Sequence, residues 1–165
     1  MKSDLPPDDP LRQLTLARPL EDESLPRISL AGGTYTILIS GDDTAGKYCL
    51  IEMLVPPGGG PPPHRHDFEE MFTLQEGELE FTFRGAGARV QAGETVNVPA
   101  NAPHTFRNVS NKTARMLCLC APAGQEKYFL EIGDPVPAPL RSLAEKEASK
   151  AKAGALAGKY HTEFL

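Results

Sequence analysis

Two of the chain's four histidines stand one position apart in "HRHDFEE", directly after an unbroken proline and glycine run from Pro56 to Pro63. In an extended segment, residues i and i+2 point to the same side with about 7 Å between their backbones, so His64 and His66 are expected to converge on one point. Glu70 keeps the same parity if the strand runs on without a bulge, which adds a carboxylate to that side. His104 opens another candidate strand in "PHTFRN". Three imidazoles and one carboxylate form a mixed nitrogen and oxygen donor set, suited to one divalent transition metal ion such as Fe, Mn, Ni, Co, Cu or Zn. A bare His-x-His on a surface strand is more often merely solvated. The weight therefore rests on what surrounds the pair.

The surrounding text is that of a β-sheet protein. From Thr34 to about Ile132, short segments rich in Val, Ile, Leu, Phe, Thr and Tyr are broken by "GDDTAG", "PPGGGPPP", "QEGE", "RGAGA", "QAGE" and "VPANAP", which is the punctuation of an antiparallel sandwich or barrel. Period-two alternation assigns faces. In "KYCLIEMLV", Glu52 marks the outer face and Cys49, Ile51, Met53 and Val55 point inward. In "ELEFTFR", Leu79, Phe81 and Phe83 point inward. In "ARMLCLCA", Met116, Cys118 and Cys120 are inside, while Arg115, Leu117 and Leu119 share an outer face that is too apolar for plain solvent. Residues 1 to 30 read as a proline-rich extended arm, with a short helix at "DDPLRQLTLAR" capped by Asp9. After the barrel, residues 31 to 133, comes a segment from 134 to 165. It starts with the link "DPVPAP" and continues as a helix opened by a Ser142 and Glu145 capping box, with a thin stripe of Ala144, Ala148, Ala151 and Ala155.

The spacing around the histidines is more specific than the pair itself. Gly58, five residues, His64, one residue, His66, three residues, Glu70, six residues and Gly77 form a first segment. Gly93, five residues, Pro99, one residue, Asn101, two residues, His104, three residues and Asn108 form a second. The two segments resemble, residue for residue, the two motifs of the cupin superfamily. The one departure is Asn101, where the family has glycine; asparagine tolerates a left-handed backbone, so the turn survives. The resemblance implies an all-β fold, a cupin-type jelly-roll β-barrel of six to eight strands with an N-terminal extended arm and a C-terminal α-helix. It also assigns the metal-ligand role to His64, His66, Glu70 and His104. Gly77 and Gly93 then serve turns, Pro99 stiffens a loop, and Asn108 satisfies backbone groups at a bend.

Four protein ligands on an octahedral ion leave two positions open, as a catalyst requires. Single-domain cupins similar to this chain include quercetinase-like dioxygenases, and that likeness makes Glu70 the catalytic base as well as a ligand. Met53, Phe72, Phe81, Phe106, Met116 and Cys118 are the expected apolar wall of a substrate pocket. Two other readings stand beside this one: a small-molecule binding cupin without turnover, and a metal-dependent isomerase or epimerase. His161 is expected to be a solvated or locally bonded tail residue.

Composition narrows the partners. Seventeen Lys and Arg against 22 Asp and Glu give a net charge of -5, with no basic cluster such as nucleic acid would need. The longest apolar runs are strand-sized, so no membrane span is expected, and the first residues lack the apolar core of a signal peptide. Cys49, Cys118 and Cys120 are too few and badly spaced for a disulfide framework. They are expected as reduced thiols of the core, in a cytoplasmic protein. The apolar outer face and the arm together predict a homodimer.

Overall fold

A computed structural model describes residues 5–137 and 142–165. Twelve strands form two antiparallel sheets among the described residues. The larger sheet contains β1 (Arg27–Leu30), β2 (Gly33–Ile39), β3 (Cys49–Val55), β5 (Glu69–Glu76), β8 (Thr95–Val98), β10 (Ala114–Ala121) and the two-residue β11 (Asp134–Pro135), in the order β11-β1-β2-β3-β10-β5-β8. The smaller contains β4 (His64–His66), β6 (Glu78–Phe83), β7 (Ala86–Gln91), β9 (His104–Arg107) and β12 (Thr162–Phe164), in the order β12-β4-β9-β6-β7. Helix α1 (Gln125–Ile132) follows β10, and α2 (Leu143–Ala157) precedes β12. This is the jelly-roll architecture expected. The strand count exceeds six to eight because three short strands, β1, β11 and β12, lie outside residues 34 to 132, and because the bend after His66 divides one expected strand into β4 and β5. No described helix is long and apolar enough to cross a membrane.

The core lies between the sheets, and alternation places its residues there. Cys49, Ile51, Met53 and Val55 of β3 are buried, as are Met116, Cys118 and Cys120 of β10. Phe72 from the larger sheet meets Phe81 and Phe106 from the smaller, with ring centroids 5.3 and 5.5 Å away. Burying each such ring contributes about 1.5–3 kcal/mol, so this trio is a principal bond between the layers. Leu50, Leu54, Leu117 and Leu119 occupy the outer face half-buried. Glu52 lies on that face too, yet it is only 6% exposed. Arg115 on the neighbouring strand explains this, since its guanidinium donates to Glu52 Oε1 at 2.6 and 2.8 Å and covers the carboxylate.

Three local expectations need correction. The short helix after Asp9 is a single turn, in which the Asp9 carbonyl and side chain accept from Arg12 N and Leu11 N. Without a packed face, one turn does not repay the cost of helix nucleation. The arm also ends earlier than residue 30, because Arg27–Leu30 pairs with β2. In α2 the Ser142 and Glu145 capping box forms, but Ala144, Ala148, Ala151 and Ala155 are exposed. Its packed side is Ala153, Leu156 and Ala157, and Tyr128 Oη of α1 donates to the Ala153 carbonyl at 2.7 Å. Leu156 and Ala157, which pack against the core at the C-terminal end, decide the rotation of the helix. The link "DPVPAP" lies partly outside the described residues.

The proline and glycine run is pinned to the second motif. Gly58 N donates to the Asn108 carbonyl at 2.8 Å and Asn108 N to the Gly59 carbonyl at 2.9 Å. The Asn108 side chain donates to the Val55 and Lys112 carbonyls at 2.9 and 2.7 Å. Gly60 has φ 141, and a Cβ there would land on the Phe106 carbonyl oxygen. Gly58, with φ 74, has open space around it. We expect Gly60→Ala to lose more than about 2 kcal/mol and Gly58→Ala only about 1–2 kcal/mol. Urea unfolding midpoints of the two variants decide the order.

Candidate metal centre

The four residues singled out by the spacing come together between the sheets. His64 and His66 leave the short β4, His104 begins β9, and the two strands pair at His64 and His104. Glu70 arrives from the opposite sheet. The expectation that it continues the histidine strand is therefore corrected: β4 ends at His66, the chain bends through Asp67 and Phe68, and β5 starts in the larger sheet. All four side chains are buried, with 7% exposure or less. One donor atom from each lies within 4.8 Å of those of the others.

Backbone carbonyls fix each imidazole. His64 Nδ1 bonds to the Pro62 carbonyl, His66 Nδ1 to that of Phe68 and His104 Nδ1 to that of Ala102, each at 2.9 Å. A carbonyl can only accept, so Nδ1 carries the proton in all three and the Nε2 lone pair is left facing inward. His66 Nε2 and His104 Nε2 lie 2.9 and 3.1 Å from Glu70 Oε2. Lone pairs of neutral imidazoles facing a carboxylate repel unless a proton or a cation lies between them. This donor set, preoriented by its outer bonds, fits a divalent transition ion.

The protonation tendencies express the same conflict. Burial pushes the Glu70 carboxyl up, but hydrogen bonds from His104 and His66 outweigh it and hold the acid well below the usual carboxylate range. Burial lowers the His104 imidazole, and its bonds to Glu70 and to the Ala102 carbonyl more than offset that, raising it. His64 faces mainly burial and the neighbouring His104, which bring it down to about 4.

Neighbouring groups steady the ligands. The Phe68 ring stacks on His66 at 3.8 Å and 4°. Asn101 N donates to the His66 carbonyl at 2.6 Å, from a left-handed backbone with φ 66, as a glycine replacement there requires. Strand β12, which sequence reasoning missed, pairs Thr162, Glu163 and Phe164 with His66, Arg65 and His64. It covers what would otherwise be a free edge of the ligand strand. Three residues carry too little alternation to be read as a strand. His161, 71% exposed on its side chain, sits 3.0 Å from Asp67 and not at the centre.

The six expected pocket residues, Met53, Phe72, Phe81, Phe106, Met116 and Cys118, are all buried at 4% exposure or less. Of these, Cys118 reaches the centre: its Sγ lies 3.3 Å from Glu70 Oε1. Phe72, Phe81 and Phe106 pack on one another. Arg65 points the other way, pairing with Glu163 at the surface at 2.6 Å. Removing His64 or His66 by alanine substitution is expected to weaken divalent-metal affinity by more than about 100-fold, against a few-fold at most for Arg65→Ala. Titration calorimetry with Mn and Ni on each variant measures this.

Residues 51–120 match the family described as the cupin domain. The chain is 26% identical over 117 residues to the quercetin 2,3-dioxygenase of Bacillus subtilis, covering 70% of this chain and 34% of that protein. It is 35% identical over 74 residues to the endoribonuclease YbeY of Myxococcus xanthus, covering 45% of this chain and 25% of that protein. The chain thus spans about a third or less of the length of these two relatives. Among solved structures, KdgF from Halomonas sp. superposes with a TM-score of 0.60 at 14% identity, over 70% of this chain and 99% of that one. The motif spacing, the two-sheet fold and the family match agree: residues 51–120 of this chain form a cupin domain.

Proposed function

We propose that the chain is a metal-dependent dioxygenase of quercetinase type, acting on a small enolic or aromatic substrate. The observation that carries this reading is the buried set of three Nε2 atoms and one carboxylate, with every Nδ1 already committed to a carbonyl. The similarity to quercetin 2,3-dioxygenase supports it. A divalent ion held by His64, His66, Glu70 and His104 would supply Lewis acidity for a substrate oxyanion and a route for electrons to dioxygen. Glu70 takes the enolic proton on its carboxylate. Phe72, Phe81 and Phe106 keep water from the apolar side, and Met53, Met116 and Cys118 complete that wall. Protein loaded in turn with each metal should consume oxygen with a flavonol, a diketone or a catechol, and Glu70→Gln should lower turnover at least about 100-fold. Product formed without oxygen uptake would replace this reading with an isomerase. A ligand-induced thermal shift with no product would replace it with a binding module.

The reading includes a homodimer. Leu11, Leu14 and Leu20 of the arm are 88 to 93% exposed, and the outer face with Leu50, Leu54, Leu117 and Leu119 is half-buried. Laying the arm of one copy across that face of a second removes both apolar surfaces from water. Light scattering at micromolar concentration should give twice the chain mass of 17.8 kDa; a monomeric mass overturns the dimer.

A further inference from the structure

Glu70 has two carboxylate oxygens, and they face different chemistry. Oε2 meets the imidazoles of His66 and His104. Oε1 meets only thiols: Cys118 Sγ at 3.3 Å and Cys120 Sγ at 3.7 Å. A thiol is a weak donor, so a carboxylate oxygen buried at 3% residue exposure has poor company on that side. The two sulfurs stand 3.7 Å apart. Both residues are on β10, two positions apart and directed inward, and Cys120 is the register partner of Glu70 on β5.

These three distances are those of a metal site. In a tetrahedral centre with metal to sulfur bonds of about 2.3 Å and metal to oxygen bonds of about 2.0 Å, two sulfurs are about 3.8 Å apart and sulfur to oxygen is about 3.5 Å. The observed triangle, with sides of 3.3, 3.7 and 3.7 Å, already has that shape. No side chain needs to rotate to offer it. Cys49 is opposite Cys120 in the register and is buried as well.

We propose that the barrel interior holds a second metal position beside the histidine one, formed by Cys118 Sγ, Cys120 Sγ and Glu70 Oε1 and selective for a thiophilic ion such as Zn, Cd or Cu(I). Glu70 bridges the two positions, one oxygen to each. Binding replaces two S–H bonds with two metal to sulfur bonds, and the two protons go to solvent with no change of oxidation state. Borderline and hard ions divide from soft ones across a single carboxylate, since thiolates prefer soft metals and imidazoles accept a wider range.

The test uses Co(II) under anaerobic, reducing conditions, with bound metal counted after desalting. Wild-type protein should bind two ions and show an intense near-ultraviolet sulfur to cobalt charge-transfer band. The band should survive in H64A/H104A, whose histidine position is destroyed, and vanish in C118A/C120A while the weaker cobalt bands of the histidine position remain. Because the cysteine variant removes core volume, X-ray absorption of Zn-loaded wild-type protein supplies a check that needs no substitution: sulfur neighbours at about 2.3 Å are expected. A wild-type protein with no sulfur band and only nitrogen and oxygen neighbours overturns the proposal. A band lost in H64A/H104A also overturns it, by making the thiols ligands of one shared ion. Failure of the histidine reading looks different: one ion bound, with the sulfur band intact.

Discussion

The convergence of three imidazole lone pairs on one buried carboxylate governs this structure. Each Nδ1 is spent on a backbone carbonyl, so each Nε2 faces inward and has a proton to donate only when its ring is charged. In a low-dielectric interior such a cluster is costly unless something positive occupies its centre. The shifts at Glu70, His104 and His64 are different expressions of that single demand. The chain spends much of its irregular backbone on enforcing it. Carbonyls at Pro62, Phe68 and Ala102 sit in the loops flanking the ligand strands, where they are free of sheet pairing and able to accept from a ring.

The position of the cluster has a mechanical meaning. Three ligands belong to the smaller sheet and one to the larger, so an ion there would join the two layers much as the Phe72, Phe81 and Phe106 trio does on apolar terms. Metal affinity and the closeness of the sheets are thereby linked: whatever spreads the layers also separates Glu70 from the histidines. The bend through Asp67 and Phe68 is the connection between the layers, and the Phe68 ring stacked on His66 fills it.

What the sequence made legible was local. Same-face parity placed His64 with His66, and it placed Met116, Cys118 and Cys120 on the inner face, because both follow from a period of two within one strand. Asn101 with φ 66 and the Ser142 capping box depend on neighbours within four residues. Glu70 was assigned correctly to the cluster, but by a route the structure does not take. Parity along a continuing strand was replaced by a crossing between sheets. The rotation of α2 and the pairing of β12 with β4 depend on contacts 20 to 100 residues away, and "TEF" alone contains no signal for either. Those contacts decide which alanines are dry and whether the ligand strand has a free edge.

The cysteines show where local pattern and chemistry part company. Alternation puts Cys118 and Cys120 inside, and a core thiol ordinarily acts as a small hydrophobe. That description suffices until the register is known. Pairing of β10 with β5 sets Cys120 opposite Glu70, so the thiols meet a carboxylate that the histidines already polarise. The Cys120 thiol lowers the Cys118 thiol, but burial and that carboxylate outweigh it and push Cys118 up to about 12. A single strand pairing, more than residue type, separates an inert core from a site with two kinds of donor.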